Sequence, residues 1–498
     1  MLKLRVHLVG LLLCAVAAVI GGAGTARAED ELPLAYTLLG PAGVVARVIT
    51  DQDTCPMLTV DGQPLAMAVR AQPSDAFPVL VCDATVPAAA QVLSLEGNRL
   101  PLPVMEPARI SIVGDTGCRI KGSKVQACND PAQWPWAQLA ASAAGSNPEL
   151  VIHVGDYVYR ETACPDGDEG CAGSPYGDNW ETWWVDMMAP ARPLLEAAPW
   201  VVVRGNHEDC ARMGNGYFLL MDPRPLPASC PDYSDVYTID SMSPQLLIMD
   251  NSAADDYNID ADQLAAYGPQ LEQIDAAAKE GAWFLLHDPM YVFGHLGEQD
   301  GKEQLFIDQL MLQQASNNQF SPAISLFLSG HVHLLQILSF GEERPAQLVV
   351  GHSGTQLDSP VTTPLAGQEI GGMPVAFGVS DSSFGYVTAT RAAGGWDMIP
   401  RNVAGAATGA CTLRSRELNC EGLKGDAVAA PEVATSAATP TPAATPEVDA
   451  AATPAALPTT GGEPGGWAAV AMAMLMLLGL AVTDKLSHAR VHQSRERE

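Results

Sequence analysis

Two hydrophobic rhythms run along the chain, and the change from one to the other falls near Pro107. From about Leu32 to Pro107 the apolar residues come in short β-type runs, such as Val44-Val45-Ala46-Arg47-Val48-Ile49 and Phe77-Pro78-Val79-Leu80-Val81, separated by Gly, Pro and Asp turns. Residues 29–107 are therefore expected to form a small all-β sandwich domain. Beyond Pro107, strands alternate with helices. Ile110-Ser111-Ile112-Val113, Leu150 to Val154, Val201-Val202-Val203, Trp283-Phe284-Leu285-Leu286 and Ile324 to Leu328 predict buried strands. Helices are predicted near Trp134–Ala144, near Trp180–Met188 and over Ile259–Lys279, where Asp260 is a candidate N-cap and Leu264, Tyr267, Leu271 and Ile274 share one stripe. This alternation predicts an α/β domain over residues 108–424. Each apolar strand runs into a polar cluster at its carboxyl end, where open α/β sheets bind ligands.

The ends have a different composition. Residues 1–28 carry Lys3 and Arg5, an apolar stretch from Leu8 to Ile20, and Ala26-Arg27-Ala28, which predicts a secretory signal peptide cleaved before Glu29; a transmembrane anchor is the alternative. Residues 425–466 are Ala, Thr and Pro with scattered acids, a composition for an extended stalk. Within it, residues 457–461, Leu457-Pro458-Thr459-Thr460-Gly461, resemble the LPxTG sorting motif of bacterial surface proteins. An apolar run, residues 467–483, is short for a spanning helix, and residues 484–498 form a basic tail expected in the cytoplasm. The order of the three parts implies a sortase-type transpeptidase and the cell wall as partners, or simple membrane anchoring without cleavage. Either way the expected place is the cell surface.

Apart from Cys14, ten cysteines remain. Their order suggests the pairs Cys55–Cys82, Cys118–Cys128, Cys164–Cys171, Cys210–Cys230 and Cys411–Cys420, with free buried thiols as the alternative. The net charge of −30 becomes −33 once Lys3, Arg5 and Arg27 leave with the signal peptide. Such a surface repels nucleic acid, so none is expected as a partner. Phosphate chemistry on this chain needs local positive charge, which metal ions can provide.

The strand ends present the chemistry. They carry, in order, Asp115 in Gly114-Asp115-Thr116-Gly117; Asp156 and Tyr159 in Gly155-Asp156-Tyr157-Val158-Tyr159; Asn206 and His207 in Gly205-Asn206-His207-Glu208; His287; and His331 with His333 in Gly330-His331-Val332-His333. Seven of the ten histidines lie in this domain, which a set of unrelated structural histidines does not explain. Asp156 has two carboxylate oxygens and can join two metals.

These residues resemble the calcineurin-like metallophosphoesterases, and more narrowly the purple acid phosphatases, over about residues 107–400 and in the family's motif order. In the broad superfamily a His follows the first Asp by two residues; here that position is Gly117. In the purple acid branch a Tyr three residues after the bridging Asp takes its place, as Tyr159 does. The resemblance implies a four-layer α/β/β/α sandwich preceded by the small all-β sandwich domain. It also implies that Asp115, Asp156, Tyr159 and His333 hold one metal, and Asp156, Asn206, His287 and His331 the other. The first set suits Fe(III), the second a divalent Fe, Zn or Mn ion.

The implied reaction is hydrolysis of small phosphomonoesters by a metal-activated hydroxide. His207 is the candidate for stabilising the phosphoryl group or protonating the leaving oxygen, with support of the ligands as its alternative role. His295, eight residues beyond His287, is a candidate substrate-facing residue. His153 is expected to pack or to support the site, His352 to line the rim or serve structure, and Asp288 to orient a neighbour rather than to bind metal. The Arg160–Asp178 insert is expected to form a loop stapled by Cys164 and Cys171, and Trp180, Trp183 and Trp184 to pack a helix on the sheet or to stack on a leaving group. Two other functions fit the same chain: a phosphodiesterase or nucleotidase on the same metals, and a surface adhesion module.

Overall fold

The computed structural model of the protein describes residues 32–299, 302–307 and 309–423. The signal peptide, stalk, sorting motif, apolar run and tail lie outside them. Among the described residues no helix is long and apolar enough to cross a membrane.

Strands Arg109–Val113, Leu150–His153 and Trp200–Val202 pair in parallel at the centre of one sheet. Strands Leu246–Ile248, Ala282–Leu285, Ile324–Ser329 and Ala346–Val350 do the same in a second. Side chains alternate across a strand, so each sheet has two apolar faces to cover. Ile110, Ile112, Leu150, Ile152 and Val201 meet Leu246, Ile248, Trp283, Leu285, Leu326 and Leu328 in one core between the sheets. The opposite faces, through Val113, Val151 and Val202 on one sheet and Leu247, Phe284 and Phe327 on the other, pack against helices. The result is the α/β/β/α sandwich.

Helix Trp136–Gly145 and helix Ala189–Leu195 cover the first sheet. Helix Ala261–Ala277 covers the second, burying Tyr267, Leu271 and Ile274. Its N-cap is Asp260, whose side chain accepts from the amides of Asp262 and Gln263, as the pattern predicts. The predicted helix near Trp180–Met188 starts as an α-turn at Trp180–Trp183 and continues as a π-turn at Trp184–Met188.

The N-terminal all-β region forms, with a core of its own built from Ala46, Val48, Leu58, Val60, Leu93 and Leu95. It is not a detached domain. Strand Leu34–Gly40 pairs in parallel with Trp200–Val202 at Leu38 and Trp200, so the 11-stranded sheet runs unbroken from the β region into the α/β half. The reason is visible in the strand itself, where Leu34, Tyr36 and Leu38 join one layer's core and Leu39 the other. Its backbone groups are buried with it and need partners, which Trp200–Val202 supplies on one edge and Gly43–Thr50 on the other. Arg47 and Arg70 complete the seam by donating to the carbonyls of Asp222, Leu219 and Arg224.

All five expected disulfides are present: Cys55–Cys82, Cys118–Cys128, Cys164–Cys171, Cys210–Cys230 and Cys411–Cys420.

Candidate metal centre

Three of the residues expected to bind metal sit where the backbone leaves a strand in the left-handed region: Asp115 at φ 55°, Asp156 at φ 58° and His331 at φ 71°. Asp and His tolerate this region better than most residues, and such strain clusters at functional sites. The turns lock together, since the Asp115 amide donates to Gly155 O at 3.0 Å and the Thr116 amide to Asp156 O at 2.9 Å.

Around the Tyr159 hydroxyl the first expected set converges. The phenol oxygen lies 2.8 Å from Asp115 Oδ1, 2.5 Å from Asp156 Oδ2 and 3.1 Å from His333 Nε2. Donors bound about 2.0–2.2 Å from one ion stand about 3 Å from each other, so the spacing suits a single cation. His333 presents the right nitrogen. Its Nδ1 faces the Gln356 carbonyl at 2.9 Å, which can only accept, so Nδ1 carries the proton and Nε2 is left bare.

Beside it, His287 is held the same way. Its Nδ1 donates to Val154 O at 2.8 Å, and its Nε2 lies 3.2 Å from Asp156 Oδ2 and 3.3 Å from Asn206 Oδ1. Asp156, Asn206 and His287 are thus brought together, with Asp156 Oδ2 common to both sets. The His331 ring stands edge-on to that of His287, with centroids 5.3 Å apart. Its Nδ1 is 3.1 Å from Asp288 Oδ1 and its Nε2 3.3 Å from Asp256 Oδ1.

The charge balance fits a cation. Burial pushes the Asp115 carboxyl up to about 8, while Asp156, although burial opposes it, is held well below the usual carboxylate range by His287 and His207. Burial also opposes a charged His287, but Asp156 and Asp115 raise it to about 10. One imidazolium cannot serve two buried carboxylates and a phenol, whose own ionisation is pushed well above normal by burial and by both aspartates. Bound metal ions would supply the missing positive charge, so the residues fit the group.

His207 lies over Tyr159, ring centroids 3.9 Å apart, with Nδ1 2.5 Å from Glu161 Oε1 and Nε2 4.0 Å from Asp156 Oδ2. Burial pulls it down to about 4. His295 is elsewhere, on the hairpin of Phe293–Gln299 and Lys302–Ile307, where its Nδ1 meets Glu303 Oε1 at 2.8 Å. No described contact joins it to the metal donors. His153 is structural, bonded to Thr116 Oγ1 at 3.0 Å and stacked on Tyr157. His352 is buried, as are Trp180, Trp183 and Trp184, which pack in the helix-side core rather than facing a ligand.

Sequence reasoning gave no role to several buried groups that hold the site. Glu208 accepts from the amides of Asp156, Tyr157, Val158 and Gly205 at 2.9–3.2 Å, clamping the turn that carries Asp156. Asp186 accepts from the amides of Cys118 and Tyr159 and from Arg160 Nε, pinning the Tyr159 turn to the Gly117 turn. Asn251 Oδ1 accepts from the His287 amide at 2.9 Å. A signal for Asp186 existed, since a lone charge inside Trp183-Trp184-Val185-Asp186-Met187-Met188 must be paired when buried.

The calcineurin-like phosphoesterase family matches residues 108–335. No curated protein matches the chain. Among solved structures, a purple acid phosphatase from yellow lupin (Lupinus luteus) seeds is similar at TM-score 0.46 and 13% identity, over 76% of this chain and 73% of that one. PhoD is similar at TM-score 0.45 and 12% identity, over 78% of this chain and 90% of that one. Over residues 108–335 this chain thus carries a calcineurin-like phosphoesterase domain.

Proposed function

We propose that the protein is a phosphomonoesterase of purple acid type, exported and tethered at the cell surface. One observation carries the type: the Tyr159 hydroxyl is within 3.1 Å of Asp115, Asp156 and His333, so a phenolate would complete an anionic set suited to Fe(III). A divalent ion would be held by Asp156, Asn206, His287 and His331. Two cations, when bound, supply Lewis acidity for in-line attack of water on phosphorus. The protein's own part is positional. Glu208 fixes the turn that carries Asp156, the Val154 and Gln356 carbonyls fix the tautomers of His287 and His333, and Glu161 faces His207 Nδ1 so that Nε2 would be the nitrogen available to the phosphoryl group.

Export is supported by the five disulfides, which suit an oxidising compartment, and tethering by the order of the LPxTG-like motif, apolar run and basic tail. Small phosphorylated molecules outside the cell are the proposed substrates.

The test is a visible absorption spectrum with metal analysis, alongside phosphate release from an aryl monoester and an aryl diester, before and after Tyr159→Phe. The expected result is a broad visible band lost in Tyr159→Phe, iron near one per chain, and faster release from the monoester. A colourless, active protein with two divalent ions would reject the purple acid type. Preference for the diester would change the substrate class, and activity that survives complete chelation would reject the metal mechanism.

A further inference from the structure

Asp288 follows the expected ligand His287 and was expected only to orient a neighbour. Its surroundings do not suit that role. The side chain is fully buried, and neither carboxylate oxygen accepts a hydrogen bond among the described residues. An unsatisfied buried carboxylate is costly and calls for an explanation, an ion being one.

His331 supplies the second half of the observation. Its Nδ1 stands 3.1 Å from Asp288 Oδ1, near enough for a hydrogen bond but without the alignment of one. Two donor atoms side by side at about 3 Å, neither bonded to the other, have the spacing of adjacent ligands on one ion. The third member is His287: one donor atom from each of His287, Asp288 and His331 lies within 4.8 Å of the others. On the far side of the ring, His331 Nε2 faces Asp256 Oδ1 at 3.3 Å, and Asp256 is itself anchored by the Gln309 side-chain amide. A carboxylate on one imidazole nitrogen directs the other to the metal. Asp256 therefore leaves Nδ1, the nitrogen next to Asp288, as the ligand atom.

We propose that Asp288 is a further ligand at the second metal position, joining His287 and His331, and that Asp256 is the positioning residue that sets which nitrogen of His331 binds. The inference rests on the phosphoesterase reading and deepens it. Its consequence is chemical. A site of two imidazoles, an amide oxygen and one carboxylate becomes a site with two carboxylates, and the added hard, anionic donor favours Mn(II) over softer alternatives.

The test is a titration of the metal-free full-length protein with Mn(II), free ion being followed by its paramagnetic resonance signal. Wild type is expected to bind two ions per chain. Asp288→Asn is expected to weaken one of them by about 10–100-fold and leave the other unchanged, and Asp256→Asn to weaken the same ion less. Two ions bound by Asp288→Asn with wild-type affinity would overturn the ligand assignment while leaving the phosphoesterase reading intact. A wild type that binds no Mn(II) would overturn both. Should the variants fail to fold, a crystal structure of wild type grown with Mn(II) decides the matter: an Asp288 oxygen within about 2.5 Å of the ion is expected, and one beyond bonding reach rejects the proposal.

Discussion

Glu208 Oε2 lies 3.0 Å from the backbone nitrogen of Asp156, and its partner oxygen takes the next two amides in the chain. A side chain two residues after Asn206 thus sets the position of the Asp156 carboxylate from behind. Glu208→Gln keeps the shape but replaces one acceptor by a donor, which faces amides that also donate. Each buried amide left unsatisfied costs about 1–3 kcal/mol, so the variant should lose a few kcal/mol in urea denaturation and hold less metal. Unchanged stability and metal content would remove Glu208 from the site's support.

The Arg160–Asp186 pair is buried on both sides, with side chains 4% and 0% exposed. Asp186→Ala leaves a guanidinium without its counter-charge and frees the Tyr159 amide. Removing one partner of such a pair costs about 3–5 kcal/mol, read as a lower thermal midpoint. The loss should be smaller in the Arg160→Met, Asp186→Leu double variant, because no charge then remains buried.

His207 touches Glu161 through one nitrogen and looks towards Asp156 with the other. His207→Asn should lower kcat by roughly 100-fold or more, the usual range for a proton-transfer group, with metal content unchanged. Loss of metal in step with activity would assign His207 to support of the ligands instead.

Gly117 stands where the broader superfamily has a histidine, and the structure leaves no room for one. A Cβ there would lie 2.8 Å from Tyr157 O and 2.8 Å from Tyr159 N, both backbone atoms. Even Gly117→Ala must move the Tyr159 turn, and it should weaken the visible band attributed to the tyrosinate more than Ala substitution of the exposed Gly122. An unshifted spectrum with full metal content would mean that the turn yields without cost.

Glu303 ties the hairpin of His295 to the chain at Thr362 and Thr363, accepting from both amides and from His295. Burial opposes its charge, but these bonds, His295 first, hold its carboxyl at about 2 against an ordinary 4.5. A depressed carboxyl stabilises above its unfolded value and loses that contribution as pH falls through its folded one. Hydrogen exchange at Thr362 and Thr363 should therefore show protection that declines between about pH 4.5 and pH 2. Glu303→Gln should abolish that pH dependence.

The convergence of Asp115, Asp156, Tyr159, Asn206, His287 and His333 was legible in the chain because these residues follow apolar strands, and the carboxyl end of such a strand is a fixed place in an α/β sandwich. Local periodicity likewise determined the 261–277 helix, its Asp260 cap and the two-sided burial of the parallel strands. Short separations between cysteines were enough for the pairs. What periodicity cannot report is which distant edge a strand meets, or which backbone amides a buried acid accepts from. Only the tertiary structure set Leu38 beside Trp200, which merges the N-terminal β region with the parallel strands of the α/β half. Only it turned Glu208 and Asp186 onto the turns of Asp156 and Tyr159, paired His295 with Glu303, and placed Asp288 against His331. These are contacts between residues whose separation in the chain carries no period, and they are decided by how whole layers pack.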